Sequence, residues 1–288
     1  VTTETEIPGG LVDAHAHLTI DFGTGGGIAG ARAAARRAGV LACRDAGSRS
    51  GIAFEDLDPA REVAAGKFLA PEGRYLKHLL EPTAPEDLLE EVAAQVARGV
   101  PWIKVMADFP GPDRNWFAPI VNYDVALVAD VVRVAHDGGA RVMAHVSGPV
   151  VGDLVDAGVD SIEHGPMADA AVVERMAERG TLWVPTVGTI ERHTGPLEQW
   201  RATLPLAVEL GVPVLVGSDE LGPAGVAAEA EALVRLGGLS PAAVLHAATA
   251  GARAAFRLPP VDGDAIVVDG DPATDVTALA RVLRPPSP

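Results

Sequence analysis

The chain has 288 residues, 48% of them apolar, which is enough for a large core and too apolar for a disordered polypeptide. Its 39 acidic against 23 basic side chains leave a formal charge of −16, which argues against a phosphate-neutralising surface and so against nucleic acid as a partner. No apolar run approaches the roughly 18 residues of a membrane span, and a single cysteine, Cys43, leaves no internal disulfide.

In chain order the strand candidates are "GLVDAHAH", "GVLACRDAG", "KFLAPEG" around Phe68 and Leu69, "PWIKVMAD", "ARVMAHVSG", "VDSIEHG", "TLWVPTVG" and "VPVLVGSDE". Between them run alanine-rich amphipathic stretches such as "PEDLLEEVAAQVARG" and "YDVALVADVVRVAHDGG", many ending in glycine as helix C-termini do. The single stretch "PAAVLHAATAGARAAF" reads as one further helix, and "AIVVDGD" as one further strand. Eight strands alternating with helices predict an α/β fold with a parallel sheet, and their length suits a closed (β/α)8 TIM barrel over 1–258. A doubly wound open sheet is the alternative. Residues 259–288 form a short C-terminal β/helix appendage.

The polar residues gather at the strand ends. His15 and His17 close the first strand and, by the two-residue alternation of a strand, share a face. His145 closes the fifth, His164 the sixth and Asp219 the eighth. Lys104 sits among apolar neighbours in the fourth, on the face of Trp102 and Met106. Barrel active sites are built at the C-terminal ends of strands, and imidazole is the commonest metal ligand. Each residue alone has an ordinary reading: a solvated or hydrogen-bonded histidine, an aspartate capping the next helix. Lys104 is harder to place, because a barrel interior does not welcome an unpaired ammonium.

The segments "PGGLVDAHAHL", "CRDAG", "WIKVMAD", "MAHVSG", "SIEHG", "VGSDE", "LHAATAGARAA" and "DAIVVDGDP" resemble, in order and over nearly the whole chain, the amidohydrolase superfamily of metal-dependent hydrolases. The resemblance is to the group with imidazolonepropionase-like and Xaa-Pro dipeptidase-like members. It implies a binuclear site in which His15, His17 and Asp219 bind one divalent ion and His145 and His164 the other. It also implies that Lys104, carboxylated by CO2, bridges them. Zinc suits neutral histidines with carboxylate oxygens, and Mn, Co or Fe would fit. The implied activity is cleavage of a C–N bond in a small-molecule amide or peptide-like substrate, with Asp219 as the general base. The alternatives are a mononuclear deaminase, a lactone or ester hydrolase, and a non-catalytic metal-binding scaffold. Because "HAH" begins at residue 15, the opening strands of the family's small β-sandwich are expected to be missing. "AIVVDGD" would then be a vestigial strand with an open edge, which invites a homodimer.

Among the remaining residues, Arg44, His78 and His193 are candidate substrate contacts. Arg44 has an alternative structural role, paired with Asp45. His136 suits a helix C-terminus, and His246 a helix packing position. Ser218 and Glu220 should face away from Asp219 by alternation. "GGGIAG" fits G-x-G-x-x-G at Gly25, Gly27 and Gly30, but too many residues separate it from the preceding strand for a dinucleotide turn, so it reads as an active-site loop. The first residues, "VTTETEIPGG", show neither the basic nor the apolar region of a signal peptide, and with the lone cysteine the expected location is cytoplasmic.

Overall fold

The computed structural model describes residues 4–20, 23, 25–52, 56–112, 115–116, 118–194, 197–259 and 261–284. Its strands are β1 (Glu4–Pro8), β2 (Leu11–Ala16), β3 (Val40–Asp45), β4 (Glu62–Leu69), β5 (Trp102–Met106), the short pair β6 (Asp108–Phe109) and β7 (Ile120–Val121), β8 (Arg141–Val146), β9 (Ser161–His164), β10 (Leu182–Val184), β11 (Ala265–Asp269) and β12 (Val282–Arg284). The helices are α1 (Gly27–Arg37), α2 (Leu88–Ala97), α3 (Val125–Asp137), α4 (Val151–Asp156), α5 (Ala170–Arg179), α6 (Val187–Thr194), α7 (Trp200–Glu209), α8 (Val226–Arg235), α9 (Pro241–Ala247) and α10 (Ala250–Phe256). None is long and apolar enough to cross a membrane.

Seven parallel strands stand in the order β10-β9-β8-β5-β4-β3-β2. Residues 213–217 occupy the eighth position. On one side the Trp183 N–H donates to Pro213 O (3.0 Å) and the Leu215 N–H to Trp183 O (2.9 Å); on the other the Ala14 N–H donates to Val216 O (2.8 Å). The barrel is thereby closed, with only local departures from a regular eighth strand. Gly217 permits this closure, since a Cβ there would lie 2.5 Å from His15 Cβ and 2.6 Å from Val184 Cγ1.

The strands are buried on both faces, as parallel strands wrapped by helices are. Ile103, Val105, Val142 and Ile162 face outward onto the helices, against Val128, Val131 and Leu154. Trp102, Met143, Leu182, Val184 and Leu215 fill the interior with Phe256 and Leu258. The third barrel strand is longer than the sequence suggests, because the weak strand formers of "EVAAG" extend it backwards; packing outweighs propensity there. The stretch expected to be one helix is two. The chain breaks at Ala248 and Thr249, and the freed Ala248 carbonyl accepts the Val12 N–H of β2 at 2.7 Å.

The small sheet corrects one expectation. β1 is present and pairs antiparallel with β11, whose other edge holds β12. The appendage thus draws on both ends of the chain, Glu4–Pro8 included. β11 is its central strand, so the open edge that motivated a homodimer does not exist there.

Candidate metal centre

A β-bulge aims the first two histidines. Val12 and Ala14 lie in the barrel interior, so alternation would send His15 outward. The pairing of β2 with β3 slips between Asp13 and Ala16, and past the slip both His15 and His17 line the interior cavity. Asp13 holds the bulge: its carboxylate accepts the His15 N–H at 3.0 Å, the Ser218 N–H at 2.9 Å and the Ser218 hydroxyl at 2.5 Å. The Asp13 bonds tie the end of the first strand to the turn that carries Asp219.

Lys104 on β5 is level with Phe68 and Met143 on the neighbouring strands, and His145 follows at the end of β8. His164 and Asp219 reach the cavity through left-handed backbone, with φ of 68° and 46°; Thr186, which contacts His164, has φ of 45°. Three of the four such non-glycine residues among the described ones therefore sit at this site, where strain of about 1–3 kcal/mol each is held in place by the surrounding fold.

Orientation of the rings is set from behind. His15 Nδ1 donates to Glu163 Oε2 at 2.5 Å, and His17 Nδ1 to the Gly47 carbonyl at 3.3 Å, which leaves each Nε2 lone pair facing the cavity. His164 Nδ1 lies 2.6 Å from Thr186 Oγ1. Asp219 Oδ1 is 3.3 Å from His17 Nε2 and 3.9 Å from His15 Nε2. His15, His17 and Asp219 offer ligand atoms within 4.8 Å of one another, the spacing of a group that can hold one ion. The His145 and His164 ring centroids are 4.5 Å apart. Lys104 Nζ and His145 Nε2 are buried with no hydrogen-bond partner. These two orphaned polar atoms, facing a cavity with His15, His17, His164 and Asp219, fit a site built for cations.

Electrostatics agrees. Burial, aided by the Lys104 charge, lowers His15 to about 4; burial also lowers His164 to about 3 and His145 well below the ordinary imidazole value. Neutral imidazoles are what a metal needs. His17 goes the other way: burial opposes its charge, but Asp219 and Asp45 raise it. Burial lowers Lys104 to about 8. Burial alone would raise Asp219, yet the surrounding His15, His17 and His164 hold it well below the usual carboxylate range.

Arg44 is not at the cavity. It is fully buried in the barrel beneath, where its guanidinium bonds Glu163 Oε1 (2.7 Å), Ser161 Oγ (3.1 Å) and the Ala14 carbonyl (2.9 Å) and lies over the Trp102 and Phe256 rings. Its partner is Glu163, not Asp45, because Asp45 caps the Leu18 and Gly47 N–H groups. His78 is exposed outside the cavity, and His246 is exposed on α9 rather than packed. His136 ends α3 and bonds Asp160 at 2.8 Å. His193 does line the cavity. So does Glu220, contrary to the alternation argument: Asp219–Leu221 is a 3-10 turn, to which the strand period does not apply. The described glycines of "GGGIAG" lead into α1 and none lines the cavity.

Sequence reading missed Glu163. In a regular strand Glu163 and His164 point oppositely, but the left-handed turn at His164 lets both face inward. Burial would raise Glu163; Arg44, His15 and Lys104 overcome this and hold it well below the ordinary value. Also unforeseen is the aromatic wall of Tyr75, Phe109 and Trp116. The cavity measures about 140 Å³. A larger one, about 330 Å³, lies behind His17 between α1 and β3, but its Arg32 is paired with Glu62 and its Arg61 with Asp58 and Asp264.

No family model matches the chain. An uncharacterised protein of Mycobacterium tuberculosis is 32% identical over 257 residues, covering 79% of this chain and 68% of the relative. Ochratoxinase of Aspergillus niger is 29% identical over 184 residues, 58% of this chain and 38% of the enzyme. Crystal structures of an amidohydrolase and of an Xaa-Pro dipeptidase superpose with TM-scores of 0.74 at 24% identity. They cover 96% and 97% of this chain, and 82% and 84% of theirs. The chain shares the fold of these amidohydrolase-type structures. The strand-end cavity described above lies where barrel enzymes build their active sites.

Proposed function

We propose that this chain is an amidohydrolase that cleaves an amide-type C–N bond with two divalent ions, zinc or a similar metal. His15, His17 and Asp219 would hold one, His145 and His164 the other. Lys104 would bridge them as a carbamate, formed when its neutral amine adds to the carbon of CO2 and releases a proton. The observation that carries this reading is Lys104 itself: 1% exposed, with an Nζ that no hydrogen bond satisfies, lining one cavity with His15, His17, His145, His164 and Asp219. A carbamate replaces an uncompensated buried cation by an anion that two ions neutralise. The names of the ochratoxinase and Xaa-Pro dipeptidase relatives support hydrolysis of this class.

When bound, the ions would supply Lewis acidity toward a carbonyl and lower the pKa of water toward 7. The protein's own residues do the rest. Asp219, ionised and in contact with His15 and His17, accepts a proton from the attacking water and passes it to the leaving nitrogen. Glu163, the Gly47 carbonyl and Thr186 hold three of the imidazoles in fixed orientations.

Elemental analysis of protein purified without chelator, in buffer with bicarbonate, should find two divalent ions per chain. Lys104→Ala should fall to one and lose activity, and short carboxylic acids should restore part of both by filling the vacant bridge. The compact set of His15, His17 and Asp219 favours a second reading, a mononuclear site of the deaminase kind. One tightly held ion that bicarbonate cannot raise to two would establish it.

A further inference from the structure

The wall of the cavity points to the part of the substrate next to the scissile bond. Three rings follow one another edge to face: Tyr75 and Phe109 at 5.1 Å between centroids, Phe109 and Trp116 at 5.6 Å. All three surround the His145 imidazole, at 6.1, 6.2 and 6.4 Å. They come from separate segments, Tyr75 from the loop after β4, where it also packs on Phe68 at 5.3 Å, and the other two from the β6–β7 hairpin. Leu76 and Ile190 extend the apolar surface.

The rim is polar. His193 Nε2 lies 2.9 Å from Glu220 Oε2, and Trp116 stacks on the His193 ring at 4.8 Å with 34° between planes. Apart from Lys104, the described lining of the cavity holds no Lys or Arg to pair an anionic end. On this side the cavity wall, Tyr75, Leu76, Phe109, Trp116 and Ile190, is apolar. Aromatic rings prefer the edge-to-face and offset contacts that these three side chains offer.

We infer that the substrate is an amide bearing an uncharged aromatic ring beside the scissile bond, seated by Tyr75, Phe109 and Trp116. The inference rests on the metal-dependent reading above and names the substrate class of that site. Trp116 and Phe109 are its specificity-determining residues.

Hydroxamates that bind metal through one common head group test it, with affinity read by calorimetry on the metal-loaded protein. Acetohydroxamate, benzohydroxamate and cyclohexanecarbohydroxamate differ only in the group offered to the wall. Benzohydroxamate should bind at least tenfold more tightly than acetohydroxamate and more tightly than the cyclohexyl compound. Trp116→Leu and Phe109→Leu, each checked for an unchanged melting transition, should erase most of that preference and leave acetohydroxamate unaffected. Equal affinity for the methyl and phenyl compounds, or a preference that survives both substitutions, overturns the ring inference alone. Failure of all three compounds to bind overturns the metal reading and the ring inference with it.

Discussion

Replacing Arg44 by methionine keeps most of the side-chain volume and removes the charge that Glu163 depends on. Both residues are 0% exposed, so solvent cannot take over the lost role. Breaking one side of a fully buried pair costs about 3–5 kcal/mol, because Glu163 loses its guanidinium countercharge and keeps only hydrogen bonds such as those from His15 and Ser161. The contacts of the guanidinium with the Trp102 and Phe256 rings, at 4.7 and 4.8 Å, add about 1 kcal/mol. A loss of about 4–6 kcal/mol lowers the melting temperature by roughly 8–24 °C in a domain of this class, at ~2–4 °C per kcal/mol. Calorimetry with metal chelated throughout isolates this from stabilisation by bound ions. Adding Glu163→Gln to Arg44→Met removes the stranded charge, so the double variant should recover at least ~2 kcal/mol relative to additivity. Glu163→Gln alone should weaken metal binding about 10–100-fold, since His15 loses its anionic partner. An Arg44→Met cost below ~1 kcal/mol, or strictly additive variants, would refute the reasoning.

Two further outcomes are expected. Asp219→Asn tolerates the left-handed backbone at φ 46° and should retain the fold while losing most turnover; near-native kcat would remove Asp219 from the base role. Glu229 is buried behind α6, where its carboxylate accepts the Val187 and Gly188 N–H groups at 2.6 and 2.7 Å, and burial raises its pKa to about 8. Because the unfolded chain ionises first, near 4.3, this residue should cost stability progressively as pH rises from about 4.3 to about 8. The stability advantage of the wild type over Glu229→Gln should therefore shrink between pH 5 and pH 8, and a constant difference in melting temperature across that range would contradict the assignment.

Much of the barrel was legible in the order of apolar runs and glycine-ended helical stretches, because parallel strands and their covering helices carry local periodicities. The identities along the strands were equally legible: His15, His17, Lys104, His145, His164 and Asp219 all come to one cavity, as their positions in or at the ends of five barrel strands suggested. What alternation could not supply was any residue past a break in that period. The bulge at Asp13, the left-handed turn at His164 and the 3-10 turn at Asp219 each re-aim side chains, which is how Glu163 and Glu220 escaped notice.

Pairing across the barrel was likewise beyond the sequence. Arg44 and Glu163 are 119 positions apart, and nothing local to "CRDAG" names the carboxylate opposite. The same holds for β1 finding β11 from the far end of the chain, and for Tyr75 meeting Phe109 and Trp116 around His145. The local pattern of the chain determined where the regular strands run and which chemistry stands at their tips. Closure of the barrel decided which tips meet, because it brings residues from distant segments together around one axis, and that information lies in no single segment.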